Sequence, residues 1–162
     1  MFTGALAASY YGTPRTTMDV DIVVNVARKD LQNKLASALR EAELQVNGER
    51  IDVALTSGFR IVTFKDNRTP FTVDIILSAK KLKKKAGTIL GLPTFLQTPE
   101  DLILAKLRMI KATVPRERAL KDEDDVRAIL RFAKIDINAL KMRARRNNTL
   151  PILETIIADI TH

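Results

Sequence analysis

Two aspartates one residue apart, Asp19 and Asp21, are the residues whose types and spacing most directly suggest chemistry. They open the segment DVDIVV, which is otherwise apolar. Because side chains at i and i+2 of a strand point to the same face, both carboxylates would project together from Cα atoms roughly 6.5–7 Å apart. Like charges repel unless a cation lies between them, and oxygen ligands suit Mg²⁺ or Mn²⁺. The pattern favours a metal site, although a solvated strand end would explain the same residues.

A third carboxylate and a glycine add to this pattern. Asp74 lies within the apolar segment FTVDIIL (71–77), where an unpaired ion is costly. If the two strands are neighbours, roughly 4.8 Å apart, the three carboxylates converge. Gly4 and Ala5 open a short helix whose first N–H groups can receive a phosphate, or they form a simple strand-to-helix turn. Together these are the parts that two-metal phosphoryl transfer requires.

The composition narrows the chemistry. The 162 residues include no cysteine, and the only histidine is His162, which excludes thiolate, Cys/His zinc and Ser-His-Asp chemistry. A net charge of +8 predicts an anionic partner, either a nucleotide or a nucleic acid. Since the sequence has neither a long apolar run nor a charged leader, we expect a cytoplasmic protein without a membrane partner.

Periodicity predicts the elements that position these residues. The N-terminal half alternates in the manner of strands, with one amphipathic helix. We expect a strand end at 1–3, then a helix of about two turns from residue 4 and a second helix at 28–43. Strong strands are predicted at 20–26, 59–64 and 71–77, and the last two should form a hairpin. Weaker strands are predicted at 44–47 and 51–55.

The C-terminal part is predicted to be helical. Thr98 as N-cap, Pro99 at the first position and acidic residues in the first turn begin a helix at 98–112. Further helices are predicted from about 122, at 137–146 and at 150–160. We therefore expect an α+β (mixed α/β) fold: a small mixed β-sheet core flanked by helices at 1–90, and a helical region at 91–162 that packs on it.

The sequence resembles the minimal nucleotidyltransferases of the DNA polymerase beta superfamily. The resemblance rests on GALAASYYGTPRTTMDVDIVV, which contains Arg-x-Thr-x-Asp-x-Asp, and on FTVDIIL for the third aspartate. The segments DLILAK and RALKDEDD further resemble the branch that contains AbiEii-type toxins. One departure is Ala5, where the family usually has Ser or Gly.

The resemblance implies roles for individual residues. Asp19, Asp21 and Asp74 would be catalytic and would bind Mg²⁺ or Mn²⁺, with Asp74 helping to deprotonate an acceptor hydroxyl. The implied nucleotide-binding residues are Gly4, Ala5, Arg15, Thr17 and Lys106, and the implied substrate-facing residues are Asp101, Arg118, Asp122 and Asp125.

Some of these residues have a second explanation. Arg15 would equally well pair with an aspartate. Lys106, placed on the polar side of its helix, would also be explained as an ordinary solvated lysine, which is the commoner case, and only the resemblance favours its contact with a phosphate. An exposed ion-pair face with Arg127 would account for Arg118, Asp122 and Asp125.

The implied activity is metal-dependent transfer of an NMP from an NTP to tRNA, a protein or a small molecule. The toxin branch adds an antitoxin as a possible protein partner. The basic runs at 80–85 and 141–146 contain no aromatic residue and are either solvated surface or contacts for a nucleic acid. Ala5 motivates the alternative of a catalytically weak relative that binds a nucleotide or a nucleic acid.

Overall fold

The computed structural model describes residues 1–25, 31–44, 48–56, 61–66, 68–78 and 81–161. Several expectations therefore fall partly outside the described residues, namely the helix start at 28–30, the weak strand at 45–47, the strand positions 26, 59 and 60, Lys80 and His162. The chain forms two compact units. The first comprises Met1–Gly4 and Thr16–Leu96, and the second comprises Ala5–Arg15 and Gln97–His162.

A mixed sheet forms the centre of the first unit. Among the described residues, β1 (Asp19–Asn25), β2 (Ile61–Lys65) and β3 (Thr72–Ser78) are arranged in the order β1-β3-β2. Strand β1 runs parallel to β3, whereas β2 runs antiparallel to it. This confirms the predicted hairpin and the predicted mixed sheet.

The first three residues extend this sheet along β1, as the sequence predicts. Phe2 forms an antiparallel bridge with Ile22, and the Val23 N–H donates to the Met1 carbonyl at 2.8 Å. The segment therefore leads directly from the sheet into the helix that begins at Gly4.

Alternation of side chains divides the sheet into a core face and a polar face. Val62, Phe64, Ile75 and Leu77 are buried on the core face. They pack with residues of two helices, α2 (Leu31–Glu41) and α3 (Gly48–Thr56). Because successive residues of a strand point to opposite faces, the aspartates at odd positions of β1 and at position 74 lie on the other face.

The strand predicted at 51–55 is wrong, because these residues belong to helix α3. The segment IDVAL alternates, and a strand would bury Ile51 and Val53 together. In the helix Ile51 is fully buried, whereas Val53 is 57% exposed. Glu49 in the first turn favours the helix through its interaction with the helix dipole. Burial of one side chain against α2 thus outweighs the β propensity of Ile and Val.

A second sheet, which the sequence analysis did not predict, completes the first unit. It pairs β4 (Lys84–Ile89) with β5 (Leu92–Gln97). Leu90 and Gly91 join the two strands, both with positive φ, as a two-residue type I′ turn requires. The expected domain boundary at 90/91 falls in this turn. The compact units instead change at 96/97, and residues 5–15 belong with the helices.

The second unit is helical, as predicted. Its helices are most of α1 (Gly4–Tyr11), α4 (Pro99–Ala112), α5 (Leu120–Phe132), α6 (Ile137–Arg146) and α7 (Leu150–Thr161), with a 3₁₀ helix at Arg116–Ala119. The Thr98 hydroxyl accepts a hydrogen bond from the Asp101 N–H at 3.4 Å, which confirms the predicted N-cap of α4.

Apolar faces of these helices form the core of the second unit. Leu107, Val126, Ile129, Leu140 and Ile156 are fully buried. These residues come from α4, α5, α6 and α7, so each helix contributes one apolar stripe. No helix in the described part of the chain combines the length and apolarity that a membrane span requires. The helices, together with one mixed sheet and one two-stranded sheet, confirm the predicted α+β class.

Candidate active site

The three predicted catalytic aspartates lie on one face of the first sheet. In the parallel pairing of β1 with β3, Asp21 is directly opposite Asp74, and Asp19 is opposite Thr72. Asp19 and Asp21 share a face because they are two residues apart in one strand. Strands β1 and β3 are therefore neighbours. The prediction that the three carboxylates lie near one another depended on this pairing.

Threonine hydroxyls orient two of these carboxylates. Thr72 Oγ1 donates to Asp19 Oδ1 at 2.6 Å, and Thr63 Oγ1 donates to Asp74 Oδ1 at 2.5 Å. Thr17, a predicted nucleotide-binding residue, accepts a hydrogen bond from the Asp19 N–H at 3.2 Å. The three threonines thus restrict Asp19 and Asp74.

Sequence reasoning missed Thr63 and Thr72. Thr72 has a local signal, because it precedes Asp74 by two positions in the same strand and must share its face. Thr63 has no such signal, since its position opposite Asp74 depends on the register of β2 against β3. Only the fold reveals that register.

Gly4 lies directly against Asp21. Its φ of +59° is in the left-handed region, which glycine adopts without steric cost. A Cβ placed on Gly4 would overlap Asp21 Oδ2. The backbone there is also held by the Thr3 N–H, which donates to the Asp21 carbonyl at 3.0 Å. The Asp21 side chain therefore approaches the Gly4 backbone more closely than any residue with a Cβ would allow.

The donor chemistry of this face fits a hard divalent cation, because carboxylate oxygens are the ligands that Mg²⁺ and Mn²⁺ prefer. The side chains of Asp19, Asp21 and Asp74 do not, however, form the cluster of metal ligands that the resemblance implies. Within the described ranges, no group of three or more Asp, Glu, His or Cys side chains is placed so that it could hold a metal ion. The sheet thus brings three carboxylates to one face, where threonine hydroxyls donate hydrogen bonds to two of them.

A buried ion network lies in the second unit. Lys106 Nζ lies 2.8 Å from Asp122 Oδ1 and 2.7 Å from Asp125 Oδ2. Arg15 binds Asp125 with two N–H groups, Nε to Oδ1 at 2.9 Å and one terminal nitrogen to Oδ2 at 3.0 Å. Two cations therefore face two carboxylates.

This network contains two of the predicted nucleotide-binding residues, Arg15 and Lys106. Arg15 pairs with an aspartate, namely Asp125. The placement of Lys106 on the polar side of its helix is wrong, because only 5% of this residue is exposed. Burial of its ammonium is possible because Asp122 and Asp125, three residues apart on α5, supply two ion pairs, of which the one with Asp122 is also a hydrogen bond.

The remaining predicted residues of the second unit lie outside this network. Ala5 is a buried residue of α1. Arg118 is exposed on the 3₁₀ helix that precedes α5. Asp101, in the first turn of α4, forms an ion pair with Arg143 of α6. The predicted substrate-facing set is thus divided among separate contacts.

The expected ion-pair face around Arg127 exists, with different partners. Arg127 binds Glu123, Asp124 and Asp159 rather than Asp122 or Asp125. Burial lowers the pKa of Arg127, but hydrogen bonds to Asp159 and Asp124 outweigh it and raise the pKa on balance. Two separate charged clusters therefore share α5.

The mixed sheet and the helical unit together define a nucleotidyltransferase-like fold. The chain is similar to the crystal structure of an antigenic nucleotidyltransferase-like protein from Paracoccidioides brasiliensis, with a TM-score of 0.58. The two sequences are 17% identical, and the similarity covers 97% of this chain and 83% of the other. No protein-family model and no curated protein matches the sequence.

Proposed function

We propose that the protein is a metal-dependent nucleotidyltransferase, which transfers an NMP from an NTP to an acceptor hydroxyl. The observation that carries this proposal is the shared sheet face of Asp19, Asp21 and Asp74, with Gly4 against Asp21. The fold supports it, because the similar solved structure is of a nucleotidyltransferase-like protein. At 17% identity, that similarity concerns the fold alone.

In this reaction the acceptor oxygen forms a bond to the α-phosphorus of the NTP. The bond from that phosphorus to the bridging oxygen breaks, and pyrophosphate leaves. Asp74 takes the proton of the acceptor hydroxyl, and the Thr63 hydroxyl orients its carboxylate. Asp19, Asp21 and Asp74 would hold Mg²⁺ or Mn²⁺, which when bound neutralises the triphosphate and lowers the pKa of the attacking hydroxyl.

The test is transfer of label from α-labelled NTPs by the full chain and by two matched variants. Asp74→Asn keeps the shape of the side chain and a partner for Thr63 but removes the charge. We expect it to lower the rate by about 100-fold or more. Asp52→Asn removes an exposed carboxylate of α3 and should transfer normally. Undiminished transfer by Asp74→Asn, with both variants folded, refutes the assignment.

The proposed acceptor is a tRNA, a protein or a small molecule, and the proposed setting is a toxin with an antitoxin partner. These finer proposals rest on the sequence resemblance through DLILAK and RALKDEDD. Incubation with labelled NTPs, Mg²⁺ or Mn²⁺ and total tRNA separates them. Label on the RNA supports a nucleic-acid acceptor, whereas label on the protein supports self-modification. Label on neither contradicts both.

A second candidate is a non-catalytic relative that binds a nucleotide or a nucleic acid. Two observations favour it: Ala5 lacks a hydroxyl, and the described carboxylates are not gathered around a single point. Calorimetry with a non-hydrolysable NTP distinguishes the candidates. Binding that requires Mg²⁺ and is lost in Asp21→Asn supports the enzyme. Metal-independent binding without label transfer supports the second candidate.

A further inference from the structure

A cavity of about 300 Å³ in the second unit is lined by Gln97 at the end of β5, by one face of α4 and by the C-terminal end of α6. Helix α4 contributes Asp101, Leu104 and Arg108, which follow one another at spacings of three and four and so share a face. Helix α6 and its C-cap contribute Arg143, Arg146 and Asn147. Two helices thus direct three arginines to one cavity.

The charge of this lining favours an anion. Three arginines and one aspartate give it a formal charge of +2, counted over the lining residues. Asp101 pairs with Arg143 and fixes its guanidinium at the cavity wall. Arg108 and Arg146 are exposed, and each offers planar N–H donors that match phosphate oxygens.

The helix dipole alone does not explain this arrangement. Basic residues in the last turn of α6 interact favourably with its carbonyl end. Arg145 belongs to the same turn and would serve that purpose equally, yet it does not line the cavity. Arg108 comes from the interior of α4, where no helix end requires a cation. Interaction with helix ends therefore does not account for the arginines that both helices place at the cavity.

We propose that this cavity binds phosphate groups, either of free pyrophosphate or of an RNA backbone. Its volume is at the lower end of the range for ligand pockets, which suits a small anion or a short stretch of backbone. Leu104 is the one apolar residue and no lining residue is aromatic, so the cavity recognises charge rather than stacked bases. This site is inferred from its own lining, and its test measures binding rather than the proposed transfer reaction.

The test compares the full chain with Arg108→Gln, Arg146→Gln and the control Arg145→Gln. Calorimetry measures binding of pyrophosphate, and fluorescence anisotropy measures binding of a labelled single-stranded oligoribonucleotide at several salt concentrations. We expect each cavity variant to weaken binding about tenfold, because a charge-assisted hydrogen bond is lost. The control variant, which lies outside the cavity, should change binding much less. Melting curves establish that all variants fold.

The two probes identify the source of the phosphate. Binding of pyrophosphate alone assigns the site to a free anion. Stronger binding of the RNA, with the salt slope reduced by about 0.7 for each arginine removed, assigns it to a nucleic-acid backbone. The proposal is overturned if neither probe binds, or if Arg145→Gln weakens binding as much as Arg146→Gln.

Discussion

The buried ion network makes a sharp prediction for Asp125→Asn. Asp125 is 4% exposed, accepts hydrogen bonds from Arg15 and forms an ion pair with Lys106. The substitution conserves shape but changes the formal charge of the four-residue network from zero to +1. Loss of one partner of a buried ion pair costs about 3–5 kcal/mol, because the other charge stays buried without compensation.

The structure places Asp125→Asn at the lower end of that range. Lys106 keeps Asp122 at 2.8 Å, and about a third of the Arg15 side chain is exposed, so water solvates part of its charge. We therefore expect a loss of about 3 kcal/mol in the free energy of unfolding. For a chain of this length this lowers Tm by roughly 6–12 °C.

Urea denaturation followed by far-UV circular dichroism measures the loss, since the network belongs to the helical unit. The matched control is Asp124→Asn, one residue away, whose side chain is 74% exposed and pairs with Arg127. It should change the free energy of unfolding by less than about 1 kcal/mol. Comparable effects at 124 and 125 would contradict the reasoning.

A double variant tests the cause of the loss. If Asp125→Asn destabilises because Lys106 becomes an undercompensated buried cation, adding Lys106→Met should recover part of the stability. A further loss of stability in the double variant would refute this explanation, since it would mean that Lys106 mainly contributes packing of its alkyl chain.

Two further predictions concern other parts of the chain. Gly4→Ala should destabilise by about 1–2 kcal/mol from its positive φ alone and should also displace Asp21, so it should abolish the proposed NMP transfer. Gly91→Ala, also at positive φ but with open space around the added Cβ, should be destabilising without affecting transfer. Burial, followed by the charges of Tyr10 and Glu100, raises the pKa of Tyr11 to about 12, which favours the protonated phenol in the folded state. The contribution of Tyr11 to the free energy of unfolding is therefore retained below pH 10 and falls by about 2–3 kcal/mol as the pH rises to 12. In Tyr11→Phe, urea denaturation at each pH should show the free energy of unfolding without this fall.

Elements with local signals were predictable from the sequence. Helix α4 was predicted because Thr98 and Pro99 determine its start through neighbouring backbone groups. Helix α6 at 137–146 was predicted to the residue, and the structure shows in addition that Asp136 is its N-cap. Helix α3 was misread, because Ile51 and Val53 have strand propensity and the deciding contact is burial of Ile51 in the core with α2. Strand β4 was missed because its lysine-rich sequence has no strand pattern.

The candidate site was predictable only where the spacing of residues within one strand determines which face they share. Asp19 and Asp21 share a face by their spacing alone, and Asp74 joins them through the register of two strands more than 50 residues apart in the chain. The partner of Arg15 had no local signal at all. Its nearest acidic residues in sequence are Asp19 and Asp21, yet it binds Asp125, 110 positions away.

The aspartates of the sheet face are better candidates for binding a cation than those of the helical unit, because the two sets of carboxylates have different partners. Asp122 and Asp125 already face Lys106 and Arg15, so their negative charge is offset within the protein. Within the described residues, Asp19 and Asp74 accept hydrogen bonds from threonines and form no ion pair. A hydroxyl orients a carboxylate without neutralising it, so these two charges remain to attract a divalent ion. Replacing Thr63 by Val should therefore weaken the orientation of Asp74 while leaving that attraction in place.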